Sequence, residues 1–144
     1  LFTQDRKRLT RILARAEAGA VCDMARRLQE AYPVTVVKAP GRTLAMITAR
    51  EPVRAGLYYL AETVVWEAVV ALDGARGMAA TMADSAEKAL AMAVIDAAVT
   101  RGVFSETETL LRWETEQESR AMREHALHLQ TMVHFTSMDA EMPT

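Results

Sequence analysis

The chain has 144 residues, enough for one domain with its own core, and its 51% hydrophobic and 25% charged content excludes a disordered or membrane-spanning class. A formal net charge of -2 lacks the basic excess of a general nucleic-acid binder, and no apolar run approaches the ~20 residues of a transmembrane helix. The opening LFTQDRKRLTRILARA has basic residues but no apolar signal core, so a cytoplasmic protein is expected.

Thr3 to Ala18 reads as a first helix, with Leu9, Ile12, Leu13 and Ala16 on one face and Arg6, Lys7, Arg11 and Arg15 outward. Gly19 is the expected stop. A second helix, Ala20 to Ala31, repeats the spacing with Val21, Met24, Ala25 and Leu28, and Pro33 prevents its continuation because proline has no amide donor. Cys22, the single cysteine, has no partner for a disulfide or a zinc site and reads as a small apolar residue of that helix.

Val34 to Val37 is β-branched and strand-like. Pro40-Gly41 then suggests a turn, with Thr43 to Arg50 pairing back as the second arm of a hairpin. From Val53 to Leu72 the chain is apolar for longer than one ordinary strand. An unbroken register would set Glu62 on the face of Tyr58, Leu60, Val64, Trp66 and Val70, so a break is expected near Ala61-Glu62. Asp73-Gly74 marks a tight turn into a strand from Ala75 to Met82.

Asp84, three residues before Glu87, then starts a central helix as an acidic capping box, and Gly102 ends it. Ala86, Ala89, Leu90, Ala93, Val94 and Ala97 lie on one side of that helix, with Met92, Ile95 and Val99 on the other. A helix apolar all round must be covered twice, and the second cover is expected from another polypeptide. Ser105 and Glu108 form a second capping box, opening a long terminal helix over 105–135. Its middle, Glu114 to Glu124, is charged. Overlapping its end an apolar stripe returns in Met122, Ala126, Leu129, Met132, Val133 and Phe135, the pattern of a helix that docks in a partner's groove or else packs on its own domain. The fold class that follows is α+β: one domain, residues 1–144, with a mainly antiparallel sheet flanked by N-terminal helices, the central capped helix and the long C-terminal helix.

Catalytic signals are sparse. Neither a Walker-type nor a dinucleotide-type glycine spacing occurs. His125 and His128 share a helical face, but their spacing differs from the zincin pattern, so neither a metal nor a cofactor bound by this chain is expected. His134 has no sequence neighbour to work with. Glu62 and Asp96 are the acidic residues to weigh, since desolvation in apolar surroundings would raise a carboxyl pKa toward acid-base use. Hydrogen bonds from backbone amides or an arginine are the plainer account of both.

The run Tyr58-Tyr59-Leu60-Ala61-Glu62, then Thr63 to Val70, the Asp73-Gly74 turn, Asp84 to Leu90, Ile95 to Ala98 and the ending Thr131-Met132-Val133-His134-Phe135 with Met138 together resemble the PhnG subunit family of bacterial carbon-phosphorus lyase. That resemblance implies an accessory subunit of the complex that joins an alkylphosphonate to the ribose of ATP. Adenine leaves, and a ribose 1-phosphonate 5-triphosphate forms. The partners it implies are a PhnI-type subunit, to which that chemistry is attributed, and the other core subunits; ATP and alkylphosphonate are substrates of the complex. No nucleic acid or membrane partner is implied. Two other readings stay open: a stand-alone enzyme using Glu62 or Asp96, and a self-associating module that forms homo-oligomers in isolation.

Overall fold

The computed structural model describes residues 2–82 and 85–133 of the chain. Helix α1 spans Arg6–Arg15, started by the Asp5 carboxylate, which accepts from the Arg8 amide at 3.0 Å. Leu9, Ile12 and Leu13 form its buried face. The chain then breaks at Ala16, earlier than its composition suggests, because Glu17 caps a new helix, α2, over Ala18–Ala31. The Glu17 carboxylate accepts from the Gly19 and Ala20 amides at 2.9 and 2.8 Å, so Gly19 lies in the first turn of α2 and is not the stop expected. Val21, Met24, Ala25 and Leu28 are buried at the predicted spacing.

The expected hairpin at Pro40-Gly41 does not form. Strand β1 runs unturned over Val34–Arg50 and pairs antiparallel with β2, Leu57–Leu72. Register shifts between Val36 and Lys38 and between Lys38 and Gly41 absorb the proline and glycine. A local turn signal loses here to a sixteen-residue partner strand that offers a far longer ladder. The reversal falls instead at 51–56, where the Glu51 carboxylate accepts from the Val53 and Arg54 amides. Likewise β2 does not break at Ala61-Glu62. Ile47 pairs with Ala61 and Thr48 with Tyr59, leaving Leu60 as a one-residue bulge. The bulge switches the alternation, so Glu62 shares its face with Tyr59, not Tyr58.

Asp73 and Gly74 make the predicted turn, both with positive φ, of 45° and 82°. Strand β3, Ala75–Thr81, completes a three-stranded antiparallel sheet in the order β1-β2-β3. Helix α3 covers Ala86–Arg101 and ends at Gly102, which adopts the left-handed conformation at φ 79°. Its N-cap is Ser85, whose hydroxyl accepts from the Lys88 amide at 3.2 Å; the expected cap Asp84 lies outside the described residues. Helix α4, Thr107–Gln130, begins at Glu106 without a side-chain cap. Ser105 therefore stands one residue too early for its box with Glu108, and the Glu106 carboxylate binds Arg27 instead.

The fold is α+β, built around α3. Ala68, Val70 and Leu72 of β2 and Gly77, Ala79 and Thr81 of β3 form the buried side of the sheet, and α3 lies against it. Every residue from Ala91 to Val99 is buried. The second cover is the chain's own: α2 and α1 pack on the far side of α3, which corrects the expectation of another polypeptide there. Lys88, buried within this helix, turns its ammonium onto the carbonyls of Ala14 and Ala16, both at 2.7 Å. A cation thus closes the carbonyl-rich end of α1, where it is favoured by the helix dipole. Burial holds its pKa below the ordinary lysine value.

Contact between α3 and β3 needs a missing side chain. A Cβ on Gly77 would lie 2.2 Å from the Ala93 carbonyl oxygen and 2.3 Å from the Ala97 amide nitrogen, both backbone atoms with no rotamer to move. Gly77→Ala is expected to lower stability by about 3 kcal/mol, near the upper end of overpacking costs. Urea unfolding checks this against Gly41→Ala, where the nearest atom to a Cβ is 3.8 Å away.

Candidate partner interface

Helix α4 has two unlike halves. Leu110 is fully buried, and one turn on, Glu114 receives Arg8 in a two-pronged ion pair, Nε to Oε1 at 2.8 Å and Nη2 to Oε2 at 2.6 Å. Arg11 adds a longer contact at 3.4 Å. The Gln117 amide donates to the Ile12 carbonyl at 2.9 Å, a second closure of the α1 terminus. These bonds hold the first half of α4 to α1. From Arg120 to Val133, every described residue is exposed.

That second half carries the predicted stripe. Met122, Leu129, Met132 and Val133 are 68, 53, 58 and 71% exposed, and Ala126 is exposed between them. The helix ends at Gln130, so Met132 and Val133 follow it in the chain and do not sit on its face. Leu127, outside the predicted stripe, is also open to solvent. Phe135, His134, Met138 and Met142 lie outside the described residues.

A second apolar surface has no counterpart in the sequence expectations. Because β3 pairs only with Trp66 to Leu72, the rest of β1 and β2 continues as a two-stranded ribbon. Leu44 and Met46 on β1 and Leu57, Tyr59 and Val64 on β2 share one of its faces by register, each more than half exposed. Leu60 is exposed at the bulge. Isolated exposed hydrophobics are ordinary; a contiguous set on a projecting element marks an interaction surface.

The two acidic candidates are far apart in role. Glu62 lies exposed on the ribbon, opposite Met46. Asp96 is buried at the junction of α1, α3 and β3. Its Oδ1 accepts from Arg6 Nε at 3.1 Å, and its Oδ2 accepts from Arg6 Nη2 and, at 2.9 Å, from the Met78 amide. The arginine and the amide are the partners that a structural carboxylate requires. The hydrogen bonds that Arg6 donates to Asp96 raise the Arg6 pKa further. Among the described residues no group of three or more His, Cys, Asp and Glu is arranged to hold a metal ion, and His125 and His128 are both exposed on α4. Cys22 is half-buried beside α3, its thiol pKa raised by desolvation, the reverse of an activated nucleophile. A cleft of about 370 Å³ opens where the α1–α2 junction meets α4, lined by Arg15, Glu17, Trp113, Glu116 and Arg120. Its charges alternate in sign, so it favours neither anions nor cations.

No helix among the described residues is long and apolar enough to cross a membrane. Comparison with individually curated proteins finds no match. A family description does match: that of phosphonate metabolism protein PhnG, over residues 4–139. The chain belongs to the PhnG family. Its role is therefore in phosphonate metabolism, and the residues that carry the resemblance in the sequence can now be placed. Tyr58 to Val65 form the ribbon, and Ile95 to Ala98 form the buried centre of α3. In this PhnG-family chain the resemblance thus includes both an exposed apolar surface and the core.

Two measurements separate the structural role of the ion pairs from the surface they support. Arg6→Ala should cost about 1 kcal/mol, since the guanidinium is half-exposed and water replaces it. Asp96→Ala should cost more, about 2–3 kcal/mol, because it also orphans the Met78 amide; the double variant should match Asp96→Ala alone in urea unfolding. The second concerns Glu114, whose carboxyl pKa is lowered chiefly by its hydrogen bond to Arg8. A depressed folded-state pKa means that the bridge stabilises above the ordinary carboxylate range and is lost as pH falls through the folded value. Between pH ~6 and ~3 the urea midpoint of the parent should therefore fall more than that of Glu114→Gln.

Proposed function

We propose that this chain is an accessory subunit of the carbon-phosphorus lyase core, required for the transfer of the ribose triphosphate of ATP onto an alkylphosphonate with loss of adenine, and that it acts by binding a PhnI-type subunit. The observation that carries this reading is the second half of α4. A helix anchored on its own domain by Leu110, Glu114 and Gln117 then extends an apolar surface that nothing in the described residues covers. In water such a surface is unfavourable by roughly 25 cal/mol for each Å² exposed, and a partner's groove removes that cost. Family membership supports the pathway, and the exposed stripe supports the role.

Asp96 bears on the rival reading of a stand-alone enzyme. Its two oxygens are engaged by Arg6 and the Met78 amide, and no hydrogen bond or ion pair joins it to Glu62. A carboxylate committed in this way serves structure. The accessory role asks no chemistry of it.

Leu129→Asp combined with Met132→Asp should leave the circular dichroism spectrum and urea midpoint of the isolated chain nearly unchanged, because both positions are exposed. Co-purification with a co-expressed PhnI-type subunit should be lost. A complex that forms undiminished with this variant removes α4 from the interface.

A further inference from the structure

The two outer edges of the sheet are finished differently. On β3 the Met78 amide, central to its outer edge, is taken by the Asp96 carboxylate, which Arg6 braces. A strand approaching there finds its central donor occupied and the Arg6–Asp96 ion pair in the way. On β1 the first part is also unsuited to pairing. Register shifts on either side of Lys38 bend it, and Pro40 supplies no amide; these are recurrent devices by which edge strands avoid addition of another strand.

The stretch Arg42–Ile47 has none of these protections. It pairs with β2 in unbroken register, from Arg42 opposite Trp66 to Ile47 opposite Ala61. It contains no proline and no bulge. Among the described residues no loop or side chain forms a hydrogen bond with its outer backbone groups. Leu44 and Met46 flank that edge at 63 and 59% exposure. An edge of this kind is a template: it offers a row of amides and carbonyls at the spacing of a strand, beside apolar side chains.

Charge selects the occupant. Strand β1 contains Lys38, Arg42 and Arg50 and no acidic residue. Lys38 is paired with Glu67, whereas Arg42 stacks on the Trp66 ring at 5.1 Å and Arg50 donates to the Ala55 carbonyl, neither with an acidic partner among the described residues. A second copy of this edge would bring only further cations and no carboxylate to these arginines, and like charges facing one another destabilise strand pairs. An extended segment with acidic residues at its ends meets the same two arginines favourably.

We propose that Arg42–Ile47 is a strand-addition site for an extended, acidic-ended apolar segment of a partner protein. It is separate from the α4 surface and stands whether or not α4 binds a PhnI-type subunit. The partner's backbone supplies the ladder bonds, its apolar side chains cover Leu44 and Met46, and its carboxylates meet Arg42 and Arg50.

The test uses the full chain and hydrogen–deuterium exchange with a seven-residue peptide of alternating valine and threonine carrying glutamate at each end. At about ten times the peptide's Kd, exchange of outward amides within Arg42–Ile47 should slow about tenfold, since binding scales protection by one plus ligand over Kd. The same peptide N-methylated at alternate amides should give no protection, the lysine-ended peptide should bind more weakly at low salt, and Leu44→Lys with Met46→Lys should abolish the effect. The Leu129→Asp and Met132→Asp chain should respond like the parent, so failure of the α4 interface would leave this result intact. No protection by the acidic peptide, equal protection by the lysine-ended one, or protection over Ala75–Thr81 would overturn the proposal. So would peptide-independent protection of Arg42–Ile47 that grows with protein concentration alongside a dimer in light scattering, since a second copy would then be the occupant.

Discussion

The close approach of α3 to β3 governs the rest of this fold. Gly77 brings the backbone of one element against that of the other, and Ala93 and Ala97 on the helix keep the gap narrow. A helix held so near its sheet has little depth to fill on that side, which is why alanine suffices there. Larger residues, Met92 and Ile95, fill the interior with α1 and α2. Asp96 then becomes tolerable in an apolar helix because the same proximity delivers the Met78 amide to it, with Arg6 arriving from α1. One steric condition thus sets both the packing and the polar joint that ties three elements together.

Local chemistry with no competitor was legible in the sequence, and the structure departs from it wherever distant segments competed. The Asp73-Gly74 turn, the buried face of α2 and the Gly102 stop depend on a few adjacent residues, and all three appear as expected. Pro40-Gly41 also has turn chemistry, yet β2 outbids it by pairing along almost all of β1. The Leu60 bulge lies beside the predicted break. A buried-charge conflict at Glu62 pointed to the right place, but the strand continues through a one-residue bulge, and Glu62 escapes burial because the ribbon face it shares with Val64 is open to solvent. Ser105 failed as a cap because Glu106 is held by Arg27, a partner 79 positions away in the chain that no local pattern announces.

The candidate surfaces show the same limit. The α4 stripe was visible because it follows a charged run on one helix, so its apolar return has no local explanation. The ribbon was not. A strand-length apolar run reads identically whether a helix covers it or water does, and the number of strands beside it decides which. Since β3 is only seven residues long, it leaves the far part of β1 and β2 uncovered. Lys88 was missed for a related reason: a lone lysine in an alanine-rich helix looks solvent-facing until the end of α1 is placed over it.

Charge and exposure are divided between the centre of this chain and its extremities. Its core ion pairs, Arg6 with Asp96 and Arg8 with Glu114, join elements of the domain to one another, and the exposed hydrophobics are concentrated on two projections. Two-stranded ribbons are marginal in water without a third strand or a covering helix. A partner strand laid along the far part of β1, as proposed above, would supply the third strand that this ribbon lacks. A chain built this way has a covered centre around α3 and two exposed apolar extremities, the division that the proposed accessory role requires.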